Sequence, residues 1–122
     1  MPKLEPYDRS LPYSYALGVF PALKLLSVRP DVVTRLLLSP AGGRNEGVAR
    51  LREMCAALGI REEEAERVLR RESRKENCFA ALVFDKYQPE LSADRPHAVL
   101  CQVSDAGNLG SALRSCLAFG VR

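Results

Sequence analysis

CFAALVF, residues 78–84, is the stretch on which the fold depends. It is continuously apolar and as long as one strand, so we expect a β-strand that is buried on both faces. A second apolar stretch, TRLLLS at residues 34–39, is bounded by turn residues and predicts another buried strand. The two stretches together predict a sheet at the centre of the protein.

Two helices are predicted upstream of residue 60. The first covers residues 18–28, where leucines follow Pro21 and a proline suits a first helical turn. In the second, apolar side chains recur at three- and four-residue spacing over residues 48–58. Asn45 can cap the start of this helix, and Gly59 lies where a helix ends.

The run REEEAERVLRRESRKE predicts a third helix over residues 61–76. Its acidic residues precede its basic residues, as the helix dipole favours. Glu63 with Arg67 and Glu66 with Arg70 are favourable pairs at four-residue spacing. The simpler interpretation is a solvated surface helix. The functional alternative is an RNA-facing edge formed by Arg70, Arg71, Arg74 and Lys75.

Downstream of residue 84, the polar and proline-containing segment 85–96 indicates a domain boundary. The stretch HAVLCQV at residues 97–103 is again continuously apolar and predicts a buried strand. We therefore expect a first domain over residues 1–88, a linker over 89–96 and the start of a second domain over 97–122. Strands alternate with helices along the chain, which predicts an α/β architecture.

Composition limits the classes of protein that this chain can belong to. Its 122 residues are 47% hydrophobic and 27% charged, as in a soluble globular protein. No apolar run approaches the roughly 18 residues that span a bilayer, and the N-terminus lacks the apolar core of a signal peptide. The net charge of +3 arises in the first half of the chain, which permits a nucleic-acid partner without demanding one.

The cysteines predict neither disulfides nor a metal site. They are widely spaced, with no Cys-x-x-Cys pair, and there is only one histidine, so the ligand cluster of a zinc site is lacking. Each cysteine lies in an apolar stretch. We expect buried thiols in a reducing cytoplasm at all four positions, namely Cys55, Cys78, Cys101 and Cys116.

The segment most informative about chemistry is residues 97–119, which predicts a strand, a glycine loop and an amphipathic helix. Ligands of open α/β sheets commonly bind at the carboxyl ends of the strands. Arg114 lies four residues after Gly110, and helical side chains lean toward the N-terminus, so its guanidinium can lie over that glycine. Asn108 is a candidate helix cap. Neither the Rossmann nor the P-loop glycine pattern is present.

The segment VLCQVSDAGNLGSALRSCLAFGV, residues 99–121, resembles the first motif of the SpoU (TrmH-like) RNA ribose 2′-O-methyltransferases of the SPOUT superfamily. That motif has an apolar strand, an Asp, Asn-x-Gly, an Arg four residues later and a closing Phe-Gly. The residues that match it are Asp105, Asn108, Gly110, Arg114, Ser115, Phe119 and Gly120.

Residues 15–88 resemble the RNA substrate-binding domain that often precedes the catalytic domain in this family. LGVFPALKLL (17–26) is similar to its opening helix, RLLLS (35–39) to its first strand and MCAALGI (54–60) to the end of its second helix. The resemblance implies a three-layer α/β/α fold shared with kink-turn-binding ribosomal proteins. This domain would be followed by the first strand–helix unit of a methyltransferase domain.

The resemblance also implies an activity. In this family a ribose 2′-hydroxyl of tRNA or rRNA attacks the methyl group of S-adenosylmethionine. Arg114 and Asn108 would be the catalytic residues. The active-site loop would contain Asp105, Gly107, Gly110 and Ser115. Because an arginine side chain stays protonated at neutral pH, we expect Arg114 to position and stabilise the reacting hydroxyl rather than to deprotonate it.

The family's cofactor pocket and homodimer interface come from motifs downstream of this one. We therefore expect this chain to be an N-terminal fragment that binds RNA but does not bind the cofactor or methylate RNA. Two alternatives remain open at this point. One is a stand-alone RNA-binding module, and the other is a small nucleotide-binding α/β protein unrelated to RNA.

Overall fold

The computed structural model describes residues 2–75 and 77–121, which form two compact units, Met1–Tyr87 and Gln88–Arg122. Within the described residues, the first unit has four strands and three α-helices, and the second has one α-helix. None of these helices is long and apolar enough to cross a bilayer.

A mixed four-stranded sheet forms the centre of the first unit. Its strands are β1 (Tyr13–Leu17), β2 (Val33–Leu38), β3 (Arg61–Glu64) and β4 (Ala80–Asp85). They lie in the order β1-β4-β2-β3, with β4 antiparallel to β1 and β2, and β2 parallel to β3. The predicted α/β class is confirmed, and so are the two strands predicted within residues 34–39 and 78–84.

Helices cover both faces of this sheet. α1 (Val19–Val28) and α2 (Glu46–Ala57) pack on one face, and α3 (Glu66–Glu72) packs on the other. Side chains alternate along a strand, so Leu82 of β4 belongs to the core under α1 and α2, whereas Val83 belongs to the core under α3. The first unit therefore has three layers and two separate cores.

The ends of α2 are formed by the predicted residues. The Asn45 side-chain oxygen accepts a hydrogen bond from the backbone N–H of Val48 at 3.1 Å. At the other end Gly59 has a φ of +72°, which a residue with a side chain rarely adopts. This conformation lets the N–H of Ile60 reach the carbonyl of Cys55 at 2.9 Å, which satisfies one of the last free carbonyls of the helix.

The predicted helix over residues 61–76 is wrong at both ends, since residues 73–75 also lie outside it, and residue 76 is outside the described residues. Residues 61–64 are strand β3 instead, and the helix is the shorter α3. Backbone pairing with β2 prevails over the local helical pattern here, with Leu38 opposite Glu64. The chain leaves this ladder at Ala65, whose N–H donates to the carbonyl of Leu38 at 3.0 Å.

One predicted ion pair in this region is therefore replaced. Because Glu63 is in β3, its carboxylate pairs with Arg35 of β2 instead of with Arg67. The pair between Glu66 and Arg70 lies within α3 and is confirmed at 2.9 Å.

Residues 2–12 form no helix or strand, but they contact the core under α3. Leu4 is buried there. The Tyr15 hydroxyl donates to the carbonyl of Glu5 at 2.6 Å, and the N–H of Tyr7 donates to the Glu72 carboxylate at 3.1 Å. No strand is predicted from the sequence over residues 13–17, but β1 forms there and pairs with β4.

The second unit contains α4 (Ala106–Ala118). The buried strand predicted over residues 97–103 is wrong, since those residues form no strand and all of them are exposed. A strand requires neighbouring strands that take up its backbone hydrogen bonds, and the described residues of this unit include none. Gln102 even has a φ of +53°, which is incompatible with an extended strand.

The cysteines differ in their surroundings. All four are free, and Cys55 is buried in the core under α1 and α2, as predicted. Cys78 and Cys116 are only partly buried. The prediction of a buried thiol is wrong for Cys101, because the strand that would have buried it does not form.

Candidate functional site

The start of α4 holds the residues at the centre of the methyltransferase-like motif. Asp105 is the residue before the helix, and its side-chain oxygen accepts the N–H of Asn108 at 2.8 Å. This places Gly107 and Gly110 in the first turns of α4, so the predicted glycine loop is wrong. Asn108 is not the cap, because Asp105 takes that position, where a carboxylate also interacts favourably with the helix dipole.

The two glycines leave room for neighbouring side chains. A Cβ built on Gly107 would lie 3.1 Å from the capping oxygen of Asp105. A Cβ built on Gly110 would lie 3.4 Å from Nη1 and 3.8 Å from Nη2 of Arg114. The guanidinium of Arg114 therefore covers Gly110, as the spacing predicts. Its Nη2 also donates to the hydroxyl of Ser111 at 3.4 Å.

This arrangement presents a cation at an accessible surface. Arg114 is exposed, and its guanidinium keeps N–H donors that can reach a phosphate or ribose oxygen of a ligand. Asn108 and Ser115 are exposed as well. Ser115 follows Arg114 directly, so it points about 100° further around the helix and does not join the contact with Gly110.

The closing Phe-Gly of the motif has a structural role at the end of α4. Gly120 has a φ of +80°, and its N–H donates to the carbonyl of Leu117 at 3.2 Å. The N–H of Val121 then reaches the carbonyl of Cys116 at 2.8 Å. This pair of hydrogen bonds ends a helix and requires a residue that tolerates positive φ.

The four basic residues proposed to face RNA do not share one environment. Arg71 holds the N-terminal segment in place: it pairs with Glu72 at 2.8 Å and donates to the carbonyl of Leu4 at 3.3 Å and to the hydroxyl of Tyr15 at 3.4 Å. Its side chain is only one-third exposed, at 33%. The guanidinium of Arg71 therefore stabilises the fold, and its hydrogen bonds within the protein leave it less available to RNA than the other three basic side chains.

The other three basic side chains are accessible. Arg70 is 80% exposed even though it pairs with Glu66. Arg74 and Lys75 are exposed in the loop after α3. These three side chains are available to a phosphate backbone.

Two loops meet at the end of the sheet that carries these residues. They are the β2–α2 loop, residues 39–45, and the described part of the α3–β4 loop, residues 73–75 and 77–79. The N–H of Ser39 donates to the carbonyl of Phe79 at 2.8 Å. A Cβ on Gly42 would lie only 2.7 Å from Cβ of Phe79, so glycine is required for this close contact. The two loops thus form one continuous surface.

A cleft of about 500 Å³ opens at the carboxyl ends of the parallel strands β2 and β3. Arg52 and Glu62 on its wall are joined by two hydrogen bonds of 2.7 and 2.9 Å, and the bond from Arg52 lowers the pKa of Glu62. The sequence does not predict this cleft, because the charge pattern of residues 61–64 is that of a helix. Recognition of β3 would have been the signal. The lining of the cleft includes Ser39, Gly42, Gly43, Arg52, Glu62, Glu63 and Glu64.

The described residues contain no group of three or more His, Cys, Asp or Glu side chains placed to hold a metal ion. His97 is exposed. Comparison of the chain with protein-family models, with curated proteins and with solved structures finds no match.

Proposed function

We propose that this chain contains the RNA-binding domain and the first catalytic motif of a SpoU-type (TrmH-like) RNA ribose 2′-O-methyltransferase. The observation that carries the proposal is the guanidinium of Arg114 lying over Gly110 at the start of α4. Support also comes from the resemblance of residues 99–121 to the family's motif, in which several identities occur at fixed spacing.

Arg114 would act by positioning and electrostatic stabilisation. A planar guanidinium can bind a phosphate and a ribose oxygen of the substrate together, and it remains charged throughout. Because Gly110 has no side chain, a ribose can approach the guanidinium closely from that side. Asn108 would help to shape the same surface.

S-adenosylmethionine is the methyl donor that this proposal implies. Small-molecule sites are concave and bury most of the ligand. Every residue from 97 to 109 is exposed, so these residues by themselves enclose no pocket for adenosine. We therefore expect calorimetric titration of the 122-residue chain with S-adenosylmethionine to give no saturable signal. A saturable titration would contradict this expectation.

The first unit would bind the RNA, which we propose to be tRNA or rRNA. Three layers around a mixed sheet are compatible with the kink-turn-binding fold of the resemblance. The exposed side chains of Arg70, Arg74 and Lys75 supply positive charge beside the joined loops. A homodimer and a cytoplasmic location belong to the same proposal.

A salt-dependence measurement tests RNA binding. Fluorescence anisotropy would follow labelled tRNA and rRNA hairpins binding to the chain from about 50 to 200 mM salt. Replacing both Arg74 and Lys75 by Gln should weaken binding about tenfold and reduce the salt slope by about 1 to 2, because each lost phosphate contact releases one counterion fewer.

The matched control replaces Arg9 and Arg61 by Gln, which removes the same charge from exposed residues at the opposite end of the strands. This variant should keep most of the affinity. Equal losses in both variants would indicate non-specific attraction, and absence of RNA binding by the unmodified chain would refute the proposed function.

A stand-alone RNA-binding module is the second candidate. It is favoured by the contrast between the two complete cores of the first unit and the fully exposed residues 97–109. The nucleotide sequence after the codon for Arg122 distinguishes the candidates. An open frame that encodes the family's later motifs would favour the methyltransferase, and a stop codon would favour the module.

A further inference from the structure

We propose that Phe20 is a stacking platform for an unpaired nucleobase, so that the RNA bound by the first unit presents a single-stranded or loop nucleotide at this point. The inference rests on the proposed RNA binding and adds to it a specific residue and the class of RNA. It starts from an aromatic side chain whose exposure the fold leaves unexplained.

Phe20 is the most exposed large apolar side chain among the described residues of the first unit, at 89%. The next is Val28, on the same helix, at 58%. Two other residues of α1, Ala22 and Leu26, are fully or almost fully buried. α1 thus packs normally while its first turn holds a phenyl ring in solvent.

Contacts of the two residues before it place Phe20 at the same end of the sheet as the two joined loops. The N–H of Gly18 donates to the carbonyl of Ala80, the first residue of β4, at 2.9 Å. A Cβ on Gly47 would lie 2.6 Å from Cγ1 of Val19, so the starts of α1 and α2 are in contact. Phe20 is the next residue after Val19 and therefore lies at the same end of the sheet as the loops of residues 39–45 and 73–79.

The two loops at this end carry exposed basic side chains, whereas the cleft at the same end is lined by three glutamates of β3. Arg44 is exposed in the first of these loops, and Arg74 and Lys75 are exposed in the second. An aromatic face accepts any base whose stacking partner is missing, and basic side chains hold the adjoining phosphates. In a continuous A-form duplex the bases are stacked on each other, so an exposed ring favours RNA loops, bulges and single strands. This complementarity of ring and charge points to RNA as the partner.

The chain has no tryptophan, so a Phe20→Trp variant contains a single tryptophan, at the proposed contact, whose emission can be excited apart from that of the tyrosines. Its emission should be quenched by an RNA hairpin with an unpaired loop and left unchanged by a blunt duplex of equal length. Val28→Trp, two turns further along α1, is the matched control and should respond to neither RNA.

A second variant separates stacking from charge. Phe20→Ala should weaken binding of the hairpin about tenfold while the salt slope stays the same, because no phosphate contact is lost. Phe20→Trp should restore the affinity. Circular dichroism melting curves of both variants should match the unmodified chain, because this side chain contributes little to the core.

Three results would overturn the inference. The first is that Phe20→Ala binds the hairpin as tightly as the unmodified chain, and the second is that the hairpin quenches both tryptophan variants equally. The third is that the unmodified chain is a dimer and the Phe20→Ala variant a monomer, which would assign the ring to a contact between copies. Each leaves the proposed RNA binding standing. If the unmodified chain binds no RNA at all, the proposed function fails as well, so the two failures are distinguishable.

Discussion

Cys55 and Cys101 carry the same thiol in opposite surroundings. Burial raises the pKa of Cys55 to about 11, and the negative charge of Glu62 adds to the effect. A thiol reacts with alkylating agents as the thiolate, so Cys55 is protected both by its low thiolate fraction and by its neighbours. Cys101 is exposed, so a reagent can reach its sulfur.

We expect iodoacetamide at mildly alkaline pH to modify Cys101 in the native protein and to leave Cys55 unmodified. Peptide mass spectrometry would follow both sites over time, and the same reaction in concentrated guanidinium chloride is the control, in which both sites should react. Native alkylation of Cys55 as fast as that of Cys101 would contradict the buried position.

The ends of α2 show how a single element is bounded. Asn45 supplies a side-chain acceptor for an N–H that the first turn leaves free, and Gly59 supplies the positive φ that ends the helix. Both functions depend on residues adjacent in sequence, which explains why the sequence predicts them. The start of β3 depends instead on Arg35 and its neighbours in β2, about 26 positions earlier (61 − 35).

Asn45→Ala should lower the free energy of unfolding by about 1 kcal/mol, because the N–H of Val48 loses its acceptor. Urea denaturation monitored by circular dichroism would measure the change. Asn45→Asp is the matched variant, since it retains an acceptor and adds charge at the favourable end of the helix dipole, and it should cost little. A loss in the Asp variant as large as in the Ala variant would show that the cap is not the cause.

At the scale of the whole molecule, the first unit holds all the described core. Its two cores lie on opposite faces of one sheet, and both are formed entirely by residues of that unit. The helix of the second unit has no buried residue among Ala106–Ala118. Cohesion within the first unit therefore does not require residues beyond Tyr87.

We expect a polypeptide of residues 1–87 to fold alone, with a melting temperature within about 3 °C of the 122-residue chain. Its far-ultraviolet circular dichroism should lack the contribution of α4. Leu82→Ala in this polypeptide is the destabilised control, and it should cost about 2 to 5 kcal/mol because it leaves a cavity in a fully buried site. Failure of residues 1–87 to unfold cooperatively would mean that the second unit is part of the same folding unit.

The sequence by itself determined what depends on neighbours along the chain. Pro21 and the leucines after it predicted α1, and the spacing of apolar residues predicted α2. The cap and stop residues bounded α2, and the four-residue offset put Arg114 over Gly110. Both partners of each of these contacts lie within about one or two helical turns along the chain. A short stretch of sequence therefore contains all the residues needed to predict the contact.

Only the tertiary structure decided which apolar and charged stretches become strands. Residues 61–64 read as a helix but join β2, whereas residues 97–103 read as a buried strand and remain exposed and unpaired within their unit. The physical reason is that strand hydrogen bonds are made with residues distant in sequence. A stretch with strand-like composition therefore forms a strand only where the fold supplies a neighbouring strand to bond with.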